Sequence, residues 1–108
     1  MAIKIEKGEI VMKEKSNRYV VVTTEFKGVF YGKLEFYNRK DNCAVLSNAR
    51  MCVYWSANTK GILGLASIGP QNGSKITPII PSIELTKVTA VMDCTIQAID
   101  QWDKGIWD

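Results

Sequence analysis

A chain of 108 residues, 46% hydrophobic and 23% charged, has the size and composition of one folded unit, so a single domain over residues 1–108 is expected. Its net charge of +3, with no histidine, is too mild and too dispersed for a DNA-binding surface, yet enough to draw a small anion toward a pocket. No apolar run approaches the roughly 18 to 20 residues that a membrane helix needs, and MAIKIEKGEI lacks the apolar core of a secretory signal, which points to a soluble, cytoplasmic protein with no membrane partner.

In chain order, residues 10–12 read as a short edge strand ending in the charged turn KEKSN. Residues 18–26 (RYVVVTTEF) and 29–37 (VFYGKLEFY) are dense in β-branched and aromatic side chains and flank Lys27-Gly28, which predicts two strands joined by a tight turn. Gly32 interrupts an otherwise regular alternation and marks a bulge or a close backbone approach. The cluster NRKDN (38–42) predicts the next hairpin turn, leading into strand residues 43–46 and then 51–55.

The pattern changes at Ser56. Thr59 is placed to cap a short helix through residues 63–66, and Gly69-Pro70 to stop it. Residues 71–74 are turn-like and 75–80 extended, with Pro78 and Pro81 restricting that region to an edge or a connection. Residues 88–92 are the last strand. In DCTIQAIDQW (93–102), Asp93 or Thr95 can cap a helix whose Ile96, Ile99 and Trp102 recur at three-residue spacing. The expected fold is mainly β or α+β: a small curled antiparallel sheet of five to six strands, a short internal helix and a C-terminal helix.

Without histidine, a catalytic triad with a histidine base is excluded and zinc binding loses its commonest ligand. Asp93, Asp100 and Asp103 fit helix capping and a solvated face better than acid-base work. The run GILGLASIG lacks the strand-to-helix context of a dinucleotide fingerprint. Cys43, Cys52 and Cys94 have no metal-type spacing and read as small buried hydrophobes. No catalytic residue, metal ligand or cofactor is therefore expected, and the chain is not read as an enzyme.

Binding chemistry remains. The guanidinium groups of Arg18 and Arg50 can each hold phosphate oxygens bidentately, and Tyr54, Trp55, Phe30 and Tyr31 offer faces on which a purine can stack. Backbone amides at the start of the helix at Thr59 could also receive an anion. Each group has a plainer reading: one of Tyr54 and Trp55 faces the core, Arg50 forms a surface ion pair, and Met12, Met51 and Met92 fill the interior. A second functional reading is a small β domain that binds single-stranded nucleic acid through Tyr31, Phe36, Tyr37 and Trp55. The mild charge makes nucleic acid the less expected partner.

The segments RYVVVTTEFKGVFYG, LSNARMCVYWSAN, LASIGP and IELTKVTAVMDCTIQAIDQW, with a terminal tryptophan at Trp107, resemble in order and spacing the phage anti-defence sponges that act against the Thoeris system. The likeness runs from about Arg18 to the end of the chain. It implies a protein of the infected bacterial host's cytoplasm that sequesters TIR-derived cyclic ADP-ribose isomers, glyco-cyclic forms among them, without degrading them. It also implies a homo-dimer or hexamer with ligand at protomer boundaries, and in some relatives a separate site for cyclic oligonucleotides of CBASS.

Carried over position by position, the resemblance assigns Arg50 to pyrophosphate and Tyr54 or Trp55 to the base. Asn58 and Thr59 are hydrogen-bonding candidates, and Lys75 is a source of charge from the neighbouring extended segment. Phe30 stands where relatives often have histidine, and Met51 where they often have a second arginine, which bears on ligand preference and on the second site.

Overall fold

Three consecutive valines, Val20 to Val22, are fully buried, which requires a strand covered on both faces. Strand alternation sends Val21 to one core and Val20 and Val22 to the other. In the computed structural model, which describes Ile10, Val11 and residues 18–105, these valines lie in β2 (Tyr19–Thr24). The other strands are β1 (Ile10–Val11), β3 (Val29–Asn38), β4 (Cys43–Tyr54), β5 (Lys75–Ile76), β6 (Ile80–Leu85) and β7 (Val88–Asp93). Two helices, α1 (Gly61–Ser67) and α2 (Ile96–Lys104), complete the described fold.

The six strands β2 to β7 form the curled, unclosed antiparallel sheet expected, and the two-residue β1 extends it. The main path runs β5-β4-β3-β2-β7. The two long central strands each carry two partners end to end: β3 pairs with β2 at residues 29–33 and with β1 at Phe36 and Tyr37, while β4 pairs with β6 and then with β5. Met12 and the KEKSN turn lie outside the described residues.

Gly32 has the expected role. The β3–β4 register shifts between Tyr31 and Lys33, and a Cβ on Gly32 would fall 2.9 Å from the Ser47 carbonyl oxygen and 3.3 Å from the Ala49 Cα. No side chain fits there without moving the opposite backbone. In the NRKDN turn, the Asn38 carboxamide oxygen accepts from the amides of Lys40 and Asp41, at 2.9 and 3.2 Å.

Three local expectations are corrected. Residues 43–46 and 51–55 are not separate runs: β4 is continuous through Asn48, whose φ of 49° absorbs one extra residue as a bulge. Thr59 does not cap a helix. It ends a single turn, Ala57–Thr59, of which it alone is buried, and α1 begins at Gly61 after Lys60 in the left-handed conformation, with no side-chain cap. Ile96 is 79% exposed, and α2 instead buries Ala98 and Trp102. Three-residue steps drift around a helix, leaving Ile96 about 120° from Trp102, whereas residues four apart stay on one face.

A fourth expectation, the extended run over residues 75–80, is split: β5 ends at Ile76, and β6 starts at Ile80 and continues to Leu85, a strand not among those expected. The cap and stop signals agree with the structure. The amides of Ile68 and Gly69 both donate to the Gly64 carbonyl and end α1, the Thr95 hydroxyl caps α2 by accepting from the Ala98 amide at 3.0 Å, and Pro81 lies within the peripheral strand β6. Both helices cover one face of the sheet around Tyr31, Cys52, Leu65, Ala98 and Trp102, and the opposite face packs Leu34, Leu46, Ala49, Leu85 and Val88. Among the described residues no helix is long and apolar enough to cross a membrane.

Candidate functional site

Strand register decides what the central aromatics and Arg50 can do. Across β3 and β4, Phe30 is paired with Met51 and Tyr31 with Arg50, so alternation sends the first pair toward the face away from the helices and the second toward the helices. Tyr31 is 1% exposed. Its ring lies between Tyr19, at 5.8 Å, and Trp102, at 4.6 Å, which removes it as a platform for a base or an oligonucleotide. Its hydroxyl is buried and has no hydrogen-bond partner among the described residues. Burial, with the Asp103 carboxylate adding to it, holds the phenol well above its ordinary pKa.

Arg50 is half-buried where three segments meet. Its Nη1 donates to the Thr77 carbonyl at 2.9 Å. The backbone there is locked, because the Thr77 amide donates to the Met51 carbonyl and the Met51 amide donates to the Thr77 hydroxyl. From the other side Gly105, at the end of α2, backs the guanidinium: a Cβ on Gly105 would fall 2.7 Å from Nη1 and 3.1 Å from Nη2. Nε is buried and has no partner among the described residues. A guanidinium has five N–H donors, so Arg50 is clamped in position while retaining donors.

Arg50 shares with Phe30, Met51, Thr77 and Ile80 a recess of about 50 Å³. Apolar walls with one clamped cation suit an anion carried on a hydrophobic or aromatic body. That volume is far below the roughly 300 to 1,000 Å³ typical of a small-molecule site.

The other candidates fall elsewhere. Tyr54 is 55% exposed and pairs across the β4–β5 edge with the half-buried Lys75. Trp55 lines a separate recess with Lys27, Val29, Cys52, Val53 and Ile62. Asn58 is exposed on the turn after β4. Arg18 is engaged by Asp93, its Nε donating to the carboxylate at 2.6 Å, so the plainer ion-pair reading describes Arg18 rather than Arg50.

Thr59 is fully buried. Its hydroxyl accepts from the Gln71 amide at 3.1 Å and stands 3.4 Å from the hydroxyls of Ser56 and Ser74. That network fastens the loop after β4 to the turn before β5, a structural role in place of the ligand contact expected. A third recess, beside Phe36 and Val45, has Glu84 in its wall, a charge that opposes an anionic ligand.

Arg50 and Phe30 thus line one recess although their side chains leave opposite faces of the sheet, Tyr54 pairs with Lys75 at the β4–β5 edge, and Trp55 lines a different recess. Sequence reasoning missed Thr77, whose two bonds to the Arg50–Met51 segment span 26 and 27 positions and leave no local trace. It also missed Gly105, although a glycine just past a helix end is a readable stop signal. Among the described residues no group of three or more Cys, Asp or Glu side chains could hold a metal ion.

Residues 17–102 match the model of a family described as Domain of unknown function (DUF6948), and the chain belongs to that family. No curated protein and no solved structure matches it.

Proposed function

We propose that this DUF6948 member captures an anionic nucleotide signal of the cyclic ADP-ribose class and holds it without chemistry, as the resemblance to phage sponges against Thoeris implies. The observation that supports this reading is the clamped guanidinium of Arg50, held by the Thr77 carbonyl and backed by Gly105, with N–H groups left over at the recess that Arg50 and Phe30 both line. A fixed guanidinium meets a pyrophosphate with little ordering cost, and an adjacent aromatic ring gives the base or ribose an apolar wall. The protein would work in the cytoplasm of an infected bacterium.

Sequestration needs slow release, and nanomolar affinity corresponds to about 12 kcal/mol. A recess of about 50 Å³ cannot enclose a cyclic dinucleotide by itself. The reading therefore requires a second protomer to supply the opposite wall, in a homo-dimer or a hexamer built from dimers. Tyr54, 55% exposed at the β4–β5 edge, would contribute to such a composite wall.

Calorimetric titration of the whole protein with glyco-cyclic ADP-ribose, followed by heating and chromatography of the released ligand, tests the proposal. Nanomolar binding with intact recovery is expected. Absence of binding, or a cleaved product, would sink it.

A further inference from the structure

The turn between β2 and β3 carries two adjacent non-glycine residues in the left-handed conformation, Phe26 at φ 64° and Lys27 at φ 68°. Each costs about 1 to 2 kcal/mol relative to ordinary backbone. Phe26 is 88% exposed, so burial of its ring does not offset that cost. Two hydrogen bonds enforce the turn: the Thr24 amide donates to the Gly28 carbonyl at 2.9 Å and the Glu25 amide to the Lys87 carbonyl at 3.0 Å. Strain of this kind persists where the surroundings over-determine it, and it gathers at binding sites.

What the turn presents is Lys27 at the edge of a recess of about 300 Å³, separate from the recess at Arg50. Val29, Cys52, Val53 and Ile62 line it together with Trp55. Burial pushes the Cys52 thiol up to about 11, so it stays neutral at physiological pH, and Lys27 is the one charge in the lining. The volume lies at the lower end of the range for small-molecule sites.

The geometry points to a second small-molecule site between the β2–β3 turn and Trp55, for a planar aromatic monoanion whose ring packs among Trp55, Val53 and Ile62 and whose acid group meets Lys27. The walls select a flat hydrophobic body. One cation matches one negative charge, and no lining carboxylate repels it. This site does not depend on the Arg50 reading, and the experiment separates the two.

The probe is 1-naphthoate, with neutral 1-naphthalenemethanol as its uncharged counterpart, titrated into the full chain carrying ¹³C-labelled Ile and Val methyls. Saturable shifts at Val53 and Ile62 are expected. Lys27→Gln should weaken naphthoate binding about threefold and leave the alcohol unchanged, as for a partly solvated charge contact. Ile62→Trp, which fills the recess, should weaken both at least about tenfold; Val53→Trp does the same from an exposed position if the first variant fails to fold.

Arg50→Ala should leave naphthoate binding intact. No methyl shift up to the solubility limit, undiminished binding in the filled variants, or equal loss of both probes in Lys27→Gln would overturn the site. Loss of naphthoate binding in a folded Arg50→Ala protein would place the probe at Arg50 and overturn it equally.

Discussion

Tyr31 and Trp102 lie ring on ring, with centroids 4.6 Å apart and planes 3° from parallel, and this contact ties the central strand β3 to the C-terminal helix. Trp102 also donates its indole N–H to the Leu65 carbonyl at 2.9 Å, so one side chain joins β3, α1 and α2. Trp102→Ala should destabilise the fold by about 3 to 5 kcal/mol. Trp102→Phe should cost less, because it keeps much of the ring contact while leaving the Leu65 carbonyl without its donor. Urea unfolding of the two variants checks the order.

Arg50 depends on the end of the same helix. Gly105 has a φ of 59° and leaves no room for a Cβ beside the guanidinium. Gly105→Ala should therefore push Arg50 out of place and cost about 1 kcal/mol or more in stability. Arg50→Ala should weaken capture of the cyclic ADP-ribose isomer by about 1.5 to 3 kcal/mol. Combining the two should add little to the loss in affinity from Arg50→Ala alone, because both act through one guanidinium. Calorimetry on the single and double variants measures that coupling, and additive losses would detach Gly105 from the site.

Much of this fold was legible because its signals are local. Val20 to Val22, Gly32, the NRKDN turn, Gly69-Pro70 and Thr95 are each recognisable from the residue types beside them in sequence, even where the contact they make is distant, as Gly32 against Ser47 is. Thr59 and Ile96 were misread because their local rules, capping and helical spacing, yielded to tertiary context: burial in a hydroxyl network for one, drift off the packed face for the other. At the candidate site, Arg50 and Phe30 were visible as residue types. What clamps Arg50 was not, since Thr77 and Gly105 reach it across 27 and 55 positions of chain.

The cap of α2 gives a narrower test. The Thr95 side chain accepts from the Ala98 amide and donates to the Ser67 carbonyl at 2.7 Å, so it both starts α2 and pins it to the end of α1. Thr95→Ala should cost about 1 to 2 kcal/mol. Thr95→Ser keeps both hydrogen bonds and should recover most of that. A shift in the thermal midpoint with alanine that serine does not reverse would locate the effect in the lost methyl group.

Alkaline pH should weaken the fold in a definite window. Burial raises the Cys52 thiol from 9.0 to about 11, a backbone hydrogen bond at Tyr54 offsetting part of the effect, and raises Cys94 to about 12, with the Asp93 carboxylate adding to it. In the unfolded chain both thiols begin to ionise near their ordinary 9.0. Above that pH the unfolded state holds fewer protons than the folded one, so stability falls as pH rises. The loss should begin near pH 9 and continue through 11 to 12, with no thiol contribution below. Urea midpoints between pH 7 and 10.5 should therefore be level at first and then decline. Replacing both Cys52 and Cys94 by alanine should lower stability at neutral pH but flatten the decline. An unchanged slope in that double variant would instead assign the decline to Tyr31, whose phenol burial also holds neutral above its ordinary 10.0.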